Sequence, residues 1–261
     1  MLARIAYELF WLGRSVARAD HTARLLEGVF HDQLEQRQGD PSTTTLSWNA
    51  LLSMTGTATS PGAATQDKVI ALLVTDTTHP ASIVASIDAA RERARAVRDV
   101  ISLDMWESIN TLRMRICIDD LEPELRREPS AVFDRVRVGC SLFWGVQRRT
   151  MLRDESWSFL QAGAELEAAD IVARMLWVSL PMADESQESD ATRDGPALAL
   201  LRAVGGFQAF RRAGSSPPHL IPVARFLMFH AAFPDSLAAS IEGLRRALTR
   251  SDASPAEAPP I

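Results

Sequence analysis

Arginine is the residue type with the most chemistry to offer in this chain. Lys68 is the only lysine among 28 basic residues, so nearly all positive charge sits on guanidinium groups. They cluster as Arg14, Arg18 and Arg24, as Arg91, Arg95 and Arg98, and as Arg148, Arg149 and Arg153. A planar guanidinium fork suits carboxylate and phosphate better than an ammonium does. Arg91, Arg95 and Arg98 share one helical face beside an apolar stripe. They read either as a pocket wall for a carboxylate, phosphate or acidic peptide tail, or as a solvated basic face with Glu92 and Asp99. A GC-rich genome would also produce arginine in place of lysine. Asp20 with Arg24, and Asp170 with Arg174, are i,i+4 pairs beside an apolar seam. Charges near a core are normally paired in this way, because an unpaired one is costly to bury.

Other chemistries lack their residues. The sequence contains no G-x-x-x-x-G-K-[ST] or G-x-G-x-x-G phosphate loop, and no C-x-x-C or H-E-x-x-H zinc pattern. A di-iron bundle needs Glu-x-x-His on each of two helices. The nearest candidate, Glu27 with His31, has Trp177 and Pro181 as its counterparts 150 residues on. No metal and no cofactor are therefore expected. His21, His31, His79, His219 and His230 share no spacing. Cys117 and Cys140 fall on apolar helical faces and read as buried thiols in a reducing compartment rather than as nucleophiles.

The elements that must position these residues are helical. Leu2, Ile5, Leu9, Leu12, Val16, Ala19, Ala23, Leu26 and Phe30 step by threes and fours, which predicts one long first helix. A polar break (QRQGDPS, 36–42) precedes apolar stretches at 48–54 and 68–74, with a loop at 57–65 between them. His79-Pro80 predicts a helix start, with proline in the first turn. Helices are further expected over 102–116, 131–147, 154–180, 197–210, 223–230 and 234–250. The segment 119–130 reads as a connection, 184–194 as a mobile acidic loop and 251–261 as a disordered tail. No sustained period of two is present. The formal net charge of −5 argues against a nucleic-acid partner. No stretch reaches the ~20 apolar residues of a membrane span, and no apolar leader opens the chain. A cytoplasmic location is the expectation.

Self-similarity organises the chain. Residues 13–26 align without gaps on residues 163–176, an offset of 150 that pairs Gly13 with Gly163, Asp20 with Asp170 and Arg24 with Arg174. Pro80, Ser82, Ile83, Ser86 and Ile87 likewise align on Pro234, Ser236, Leu237, Ser240 and Ile241, an offset of 154. The fold expected is an all-α helical bundle of two pseudo-symmetric repeated halves, about 1–120 and 130–250, within one domain over 1–250. Glycine and alanine on the shared stripe would let the paired helices approach closely. A pseudo-two-fold axis would bring Asp20 towards Asp170, or Arg24 towards Arg174.

These residues resemble the bacterial alpha-E domain family, which is named for its helices and a Glu-Arg motif. The opening block of that family is matched by Arg4, Ala6, Glu8, Phe10, Trp11, Leu12, Gly13, Arg14, Arg18, Ala19, Asp20, Thr22, Ala23, Arg24, Leu25 and Leu26. Its central block resembles the run from Pro80 to Asn110 that includes Arg91, Arg95, Arg98 and Trp106. Its second-half block resembles Thr150, Arg153, Trp157, Gly163, Glu167, Asp170 and Arg174. The Glu-Arg motif is Ala17-Arg18 in the first copy and Glu167-Ala168 in the second, so each half keeps one member, and a salt bridge between Arg18 and Glu167 would reunite them. The resemblance implies an association with circularly permuted ATP-grasp ligases and transglutaminase-like proteins. The role expected is then a non-catalytic accessory or substrate-presenting component of an amide-ligase system for peptide synthesis or modification. The alternative is an enzyme working on a small acidic or peptidic substrate in an Arg/Asp/Glu cleft between the repeats. The candidate ligand-binding or interface residues are Arg14, Arg18, Asp20, Arg24, Arg91, Arg95, Arg98, Arg153, Glu167, Asp170 and Arg174.

Overall fold

Two long helices set the frame. The first, α1 (Ala3–Gln38), buries Leu9, Leu12, Val16, Ala19, Ala23 and Leu26 along the predicted seam. The other, α8 (Glu155–Ser179), starts where the Asp154 side chain accepts from the Trp157 N–H at 3.1 Å, an N-cap that satisfies one of the first turn's free donors. The computed structural model describes residues 1–38, 46–57, 64–181, 194–214 and 217–252, and among these every regular element is helical. Most of the polar break, the middle of the 57–65 loop, nearly all of the acidic loop and the tail from 253 onward lie outside the described residues.

Met1 lies against Glu155, residues 10–14 cross residues 160–164, and Arg18 meets Glu167, so α1 and α8 run in the same direction. The crossing depends on two glycines. A Cβ on Gly13 would overlap the Leu160 carbonyl oxygen, and one on Gly163 would overlap the Phe10 carbonyl oxygen. The two contacts are reciprocal at the 150-residue offset, since Leu160 stands to Phe10 as Gly163 does to Gly13.

The remaining helices clothe this pair. The helix α4 (Ile83–Ala96) packs on α1, and the final helix (Leu237–Asp252, here α12) packs on α8. The short α2 (Trp48–Met54) lies on α8, whereas α9 (Asp194–Ala203) lies on α1. Also against α1 is α7 (Pro129–Thr150), which packs in turn on α5 (Leu103–Arg113). Buried side chains from both ends of the chain, from Leu9 to Phe233, form one continuous core.

Several boundaries differ from those expected. Pro80 stands in a turn ahead of α4 rather than in its first turn: the Ser82 N–H closes back on the His79 carbonyl, and the Ser82 hydroxyl donates to the Val74 carbonyl. The stretch 197–210 is two helices, α9 and α10 (Phe207–Ala213), because Gly205 takes a positive φ of 64° that ends the first. The connection 119–130 holds its own helix, α6 (Glu122–Arg127), with Pro123 in its first turn, where proline is tolerated. Residues 66–75 form α3 (Gln66–Ile70) and a wider π-helical turn, and 220–229 form α11.

Candidate functional site

Glu167 is the buried centre of the α1–α8 contact. One carboxylate oxygen accepts from Arg18 Nε at 2.6 Å, and the other accepts from Arg14 Nε at 2.7 Å and Arg18 Nη2 at 2.9 Å. The expected Arg18–Glu167 salt bridge is therefore present between the helices, and Arg14 joins it. Ala17 and Ala168, where the other members would stand, are both buried. Burial pushes the Glu167 carboxyl up, but the hydrogen bond and charge of Arg18, helped by Arg14, outweigh it and hold the group below its usual range. Burial likewise works against the Arg18 guanidinium, and Glu167 reverses the effect, leaving its pKa raised.

Asp170 extends the cluster by one helical turn. It takes two hydrogen bonds from Arg174, at 2.6 and 3.1 Å, and lies 3.7 Å from Arg14. Arg14 also stacks on Trp11, with its guanidinium carbon 5.0 Å from the ring centre. Beside these groups is a recess of about 200 Å³. Its walls are Arg18, His21 and Thr22 from α1 and Glu167, Asp170 and Arg174 from α8; the turn after α2 and residues 80–81 close it. The closing turns are tied down. Thr22 donates to the Ala81 carbonyl at 3.2 Å. His79 Nδ1 accepts from the Ala81 N–H, which leaves Nε2 to donate to Thr57 at 3.1 Å.

Arg174 and Arg24 occupy matched settings. Gly56 follows α2 with a φ of 74°, and a Cβ there would stand 2.5 Å from Arg174 Nη1. Gly205 follows α9, and a Cβ there would stand 3.2 Å from Arg24 Nη1. Arg24 binds Asp20 at 2.8 Å, and its surroundings include Asp235 and Cys140. Among the described residues no contact joins Asp20 to Asp170 or Arg24 to Arg174: each aspartate binds the arginine four residues on, and Asp170 also approaches Arg14.

The other candidates lie elsewhere. Arg91 and Arg98 both stack on Trp106, with guanidinium carbons 5.2 and 4.9 Å from the ring centre, and Arg91 also donates to Asn110. Arg95 is well exposed and pairs with Glu92 at 2.8 Å. None of the three lines the Glu167 recess. Arg153 lines a separate groove beside Trp157. Glu27 and His31 pair with each other at 2.7 Å. Among the described residues no group of three or more His, Cys, Asp or Glu side chains could hold a metal ion. Burial pushes the Cys117 thiol up to about 12 and drives Cys140, fully buried, well above its ordinary value, so neither is a thiolate at neutral pH. No helix among the described residues is long and apolar enough to cross a membrane.

Sequence reasoning did not place Gly56, Gly205, Thr22, Thr55 or His79 at the recess or at its matched setting. A signal existed for the glycines, since Gly56 and Gly205 are 149 residues apart, close to the offset of the long helices.

The Alpha-E family model, described as "A predicted alpha-helical domain with a conserved ER motif", matches residues 1–260. The chain belongs to the Alpha-E family. In this Alpha-E chain Arg18 and Glu167, the positions expected to carry the two members of the motif, pair between α1 and α8. Similar relatives include uncharacterized protein Mb2597 of Mycobacterium bovis and uncharacterized protein Rv2567 of Mycobacterium tuberculosis, 26% and 25% identical over 260 residues. Each alignment covers 93% of this chain and 29% of the relative, so the Alpha-E chain spans less than a third of the length of these curated relatives. No solved structure matches it significantly.

Proposed function

We propose that the chain is a non-catalytic accessory of an ATP-grasp amide-ligase system, holding a small polar substrate or peptide end for a ligase to act on. A transglutaminase-like protein is a second partner of the same system. The partner assignment rests on the family resemblance. The observation that carries the non-catalytic part is the state of Glu167. A general acid or base works best with a pKa near the operating pH, whereas Glu167 is held ionised by two guanidiniums. Charges that are fixed in pairs suit holding a polar group, not moving its proton. The recess, at about 200 Å³, is smaller than the usual ~300–1,000 Å³ of drug-sized sites and suits a single small polar group.

The test combines purification with turnover. The chain is expected to co-elute with an ATP-grasp protein encoded beside it and to raise that protein's amide-forming rate. Alone, it should leave small acidic peptides unchanged. Glu167→Gln should remove the stimulation while preserving helicity. Turnover by the isolated chain, lost in Asp170→Asn, would instead establish an enzyme acting on an acidic or peptidic substrate in the cleft.

A further inference from the structure

A second concavity, of about 490 Å³, opens where the end of α7, the start of α8 and α12 meet. It shares no lining residue with the Glu167 recess, so a ligand in it is independent of the role of that recess. Four arginines line it against a single carboxylate, Glu165. Arg246 is matched by Glu242 at 2.9 Å. Among the described residues, Arg148, Arg153 and Arg250 have no such carboxylate partner. Arg250 instead stacks on Trp157, 5.5 Å from the ring centre, and donates to the Arg153 carbonyl at 3.3 Å. Arg148 and Arg250 each lie in the last turn of a helix, where the dipole favours a cation. That accounts for each alone, but not for their convergence with Arg153 on one groove in a chain of net charge −5.

The groove's wall also contains an unmet donor, buried behind its surface. Gln147 is only 3% exposed, and its Nε2 is buried with no hydrogen-bond partner. Leaving such an amide unpaired is costly, and Gln147 is part of the groove's lining. Trp144, three residues earlier on the same face of α7, is half-buried and adds an indole to the wall. Cations for an anion, an indole for a flat ring and an amide for a ring edge are the three requirements of one ligand class.

We propose that this groove binds a nucleoside phosphate, its phosphate held by Arg148, Arg153 and Arg250 and its base set against Trp144, beside the Gln147 side chain, whose amide turns outward to pair with it. An amide of this kind pairs well with the edge of adenine, and the volume falls in the range of small-molecule sites. An acidic peptide would use the arginines but would leave the indole and the buried amide without a role.

Calorimetric titration of the full chain tests this, with adenosine 5′-diphosphate, adenosine 5′-monophosphate, inorganic phosphate and ribose 5-phosphate as probes. The nucleotides should bind, and the two ring-free phosphates should bind at least about tenfold more weakly. Arg148→Ala and Arg153→Ala, at exposed positions, should each weaken the diphosphate by about tenfold. Gln147→Leu should weaken it too, while leaving the melting temperature unchanged or raised, a combination that a purely structural amide would not give. Equal affinity for inorganic phosphate and the diphosphate would overturn the proposal. So would indifference to the arginine variants, or capture of a glutamate-rich peptide with no nucleotide binding.

Discussion

Glu167 accepts from two guanidinium groups at once, and this decides what its replacement does. Glu167→Ala leaves Arg14 and Arg18 facing each other with no carboxylate between them. Breaking a buried pair from one side typically costs about 3–5 kcal/mol, and the low end applies because both arginines retain some solvent. At about 3 kcal/mol, a chain of this size should lose roughly 6–12 °C in a thermal melt followed by circular dichroism. A charge swap, Arg18→Glu with Glu167→Arg, should recover only part of the loss, because Arg14 would then meet a new arginine. Adding Arg14→Gln should make the recovery fuller, and full recovery without it would show that Arg14 contributes nothing. The pH dependence has a definite sign. The Glu167 carboxyl is depressed in the folded state, so its stabilisation is present above the unfolded value of about 4.3 and disappears as pH falls through the lower folded value. Glu165 behaves oppositely. Burial raises its carboxyl, with Asp235 adding to the effect, although the Gln161 amide donates to it at 2.8 Å. Its ionisation therefore destabilises the fold progressively as pH rises above about 4.3. Glu165→Gln should raise the melting temperature at pH 7 and give no gain at pH 4, and a gain at both would refute the assignment.

Helices were legible in the sequence wherever one face repeats at threes and fours over several turns, as in α1 and α8. Their small-residue stripe also foretold close approach at Gly13 and Gly163. What it did not reveal was where chain ends turn. Gly205 breaks the expected 197–210 helix through backbone conformation, which hydrophobic spacing does not encode, and Pro80 marks a turn fixed by Ser82 and the Val74 carbonyl. The pairing of Arg18 with Glu167 could be anticipated because the resemblance set one expected motif member at each of those two positions. The part played by Arg14 could not, since it depends on how far α1 is rotated against α8. The walls of the recess were similarly hidden, because Thr55, Gly56 and Ala81 arrive from turns remote in sequence. Glycine substitutions separate the element-level causes. Gly163→Ala would drive a methyl into the Phe10 carbonyl, a backbone atom that moves only if α1 and α8 separate, so destabilisation by about 3 kcal/mol is expected. Gly145, inside α7, has nothing within 4 Å of a built Cβ, and Gly145→Ala should stabilise by about 0.5–1 kcal/mol through helix propensity. Urea titrations should show the two midpoints moving in opposite directions, and a stabilised Gly163→Ala would mean that the close crossing is not the constraint.

At the scale of the whole molecule, the assignment of helices to partners crosses the chain's midpoint. The short α2 from the first part covers α8, and α9 from the second part covers α1, while α1 and α8 cross through their own glycines. The Gly56 turn consequently sits on Arg174 and the Gly205 turn on Arg24, so the backbone of each part seats an arginine of the other. A fragment ending after α6, residues 1–128, would keep α1 against α4 but lose α7, α8 and α9 from the remaining faces of α1. Leu9, Leu12, Val16 and Leu26, all fully or almost fully buried in the intact chain, would then meet water along much of the helix. Each such side chain contributes about 1.5–3 kcal/mol when fully buried, against a net stability of only about 5–15 kcal/mol for a folded domain. The fragment should therefore lack a cooperative melt when expressed alone, whereas the intact chain should unfold in one transition by both circular dichroism and tryptophan fluorescence. Mixing 1–128 with 129–261 should restore the transition, because the surfaces that complete each part are carried by the other. A sharp, independent melt of 1–128 would show that the crossing of α1 and α8 joins two self-sufficient halves instead of building one core.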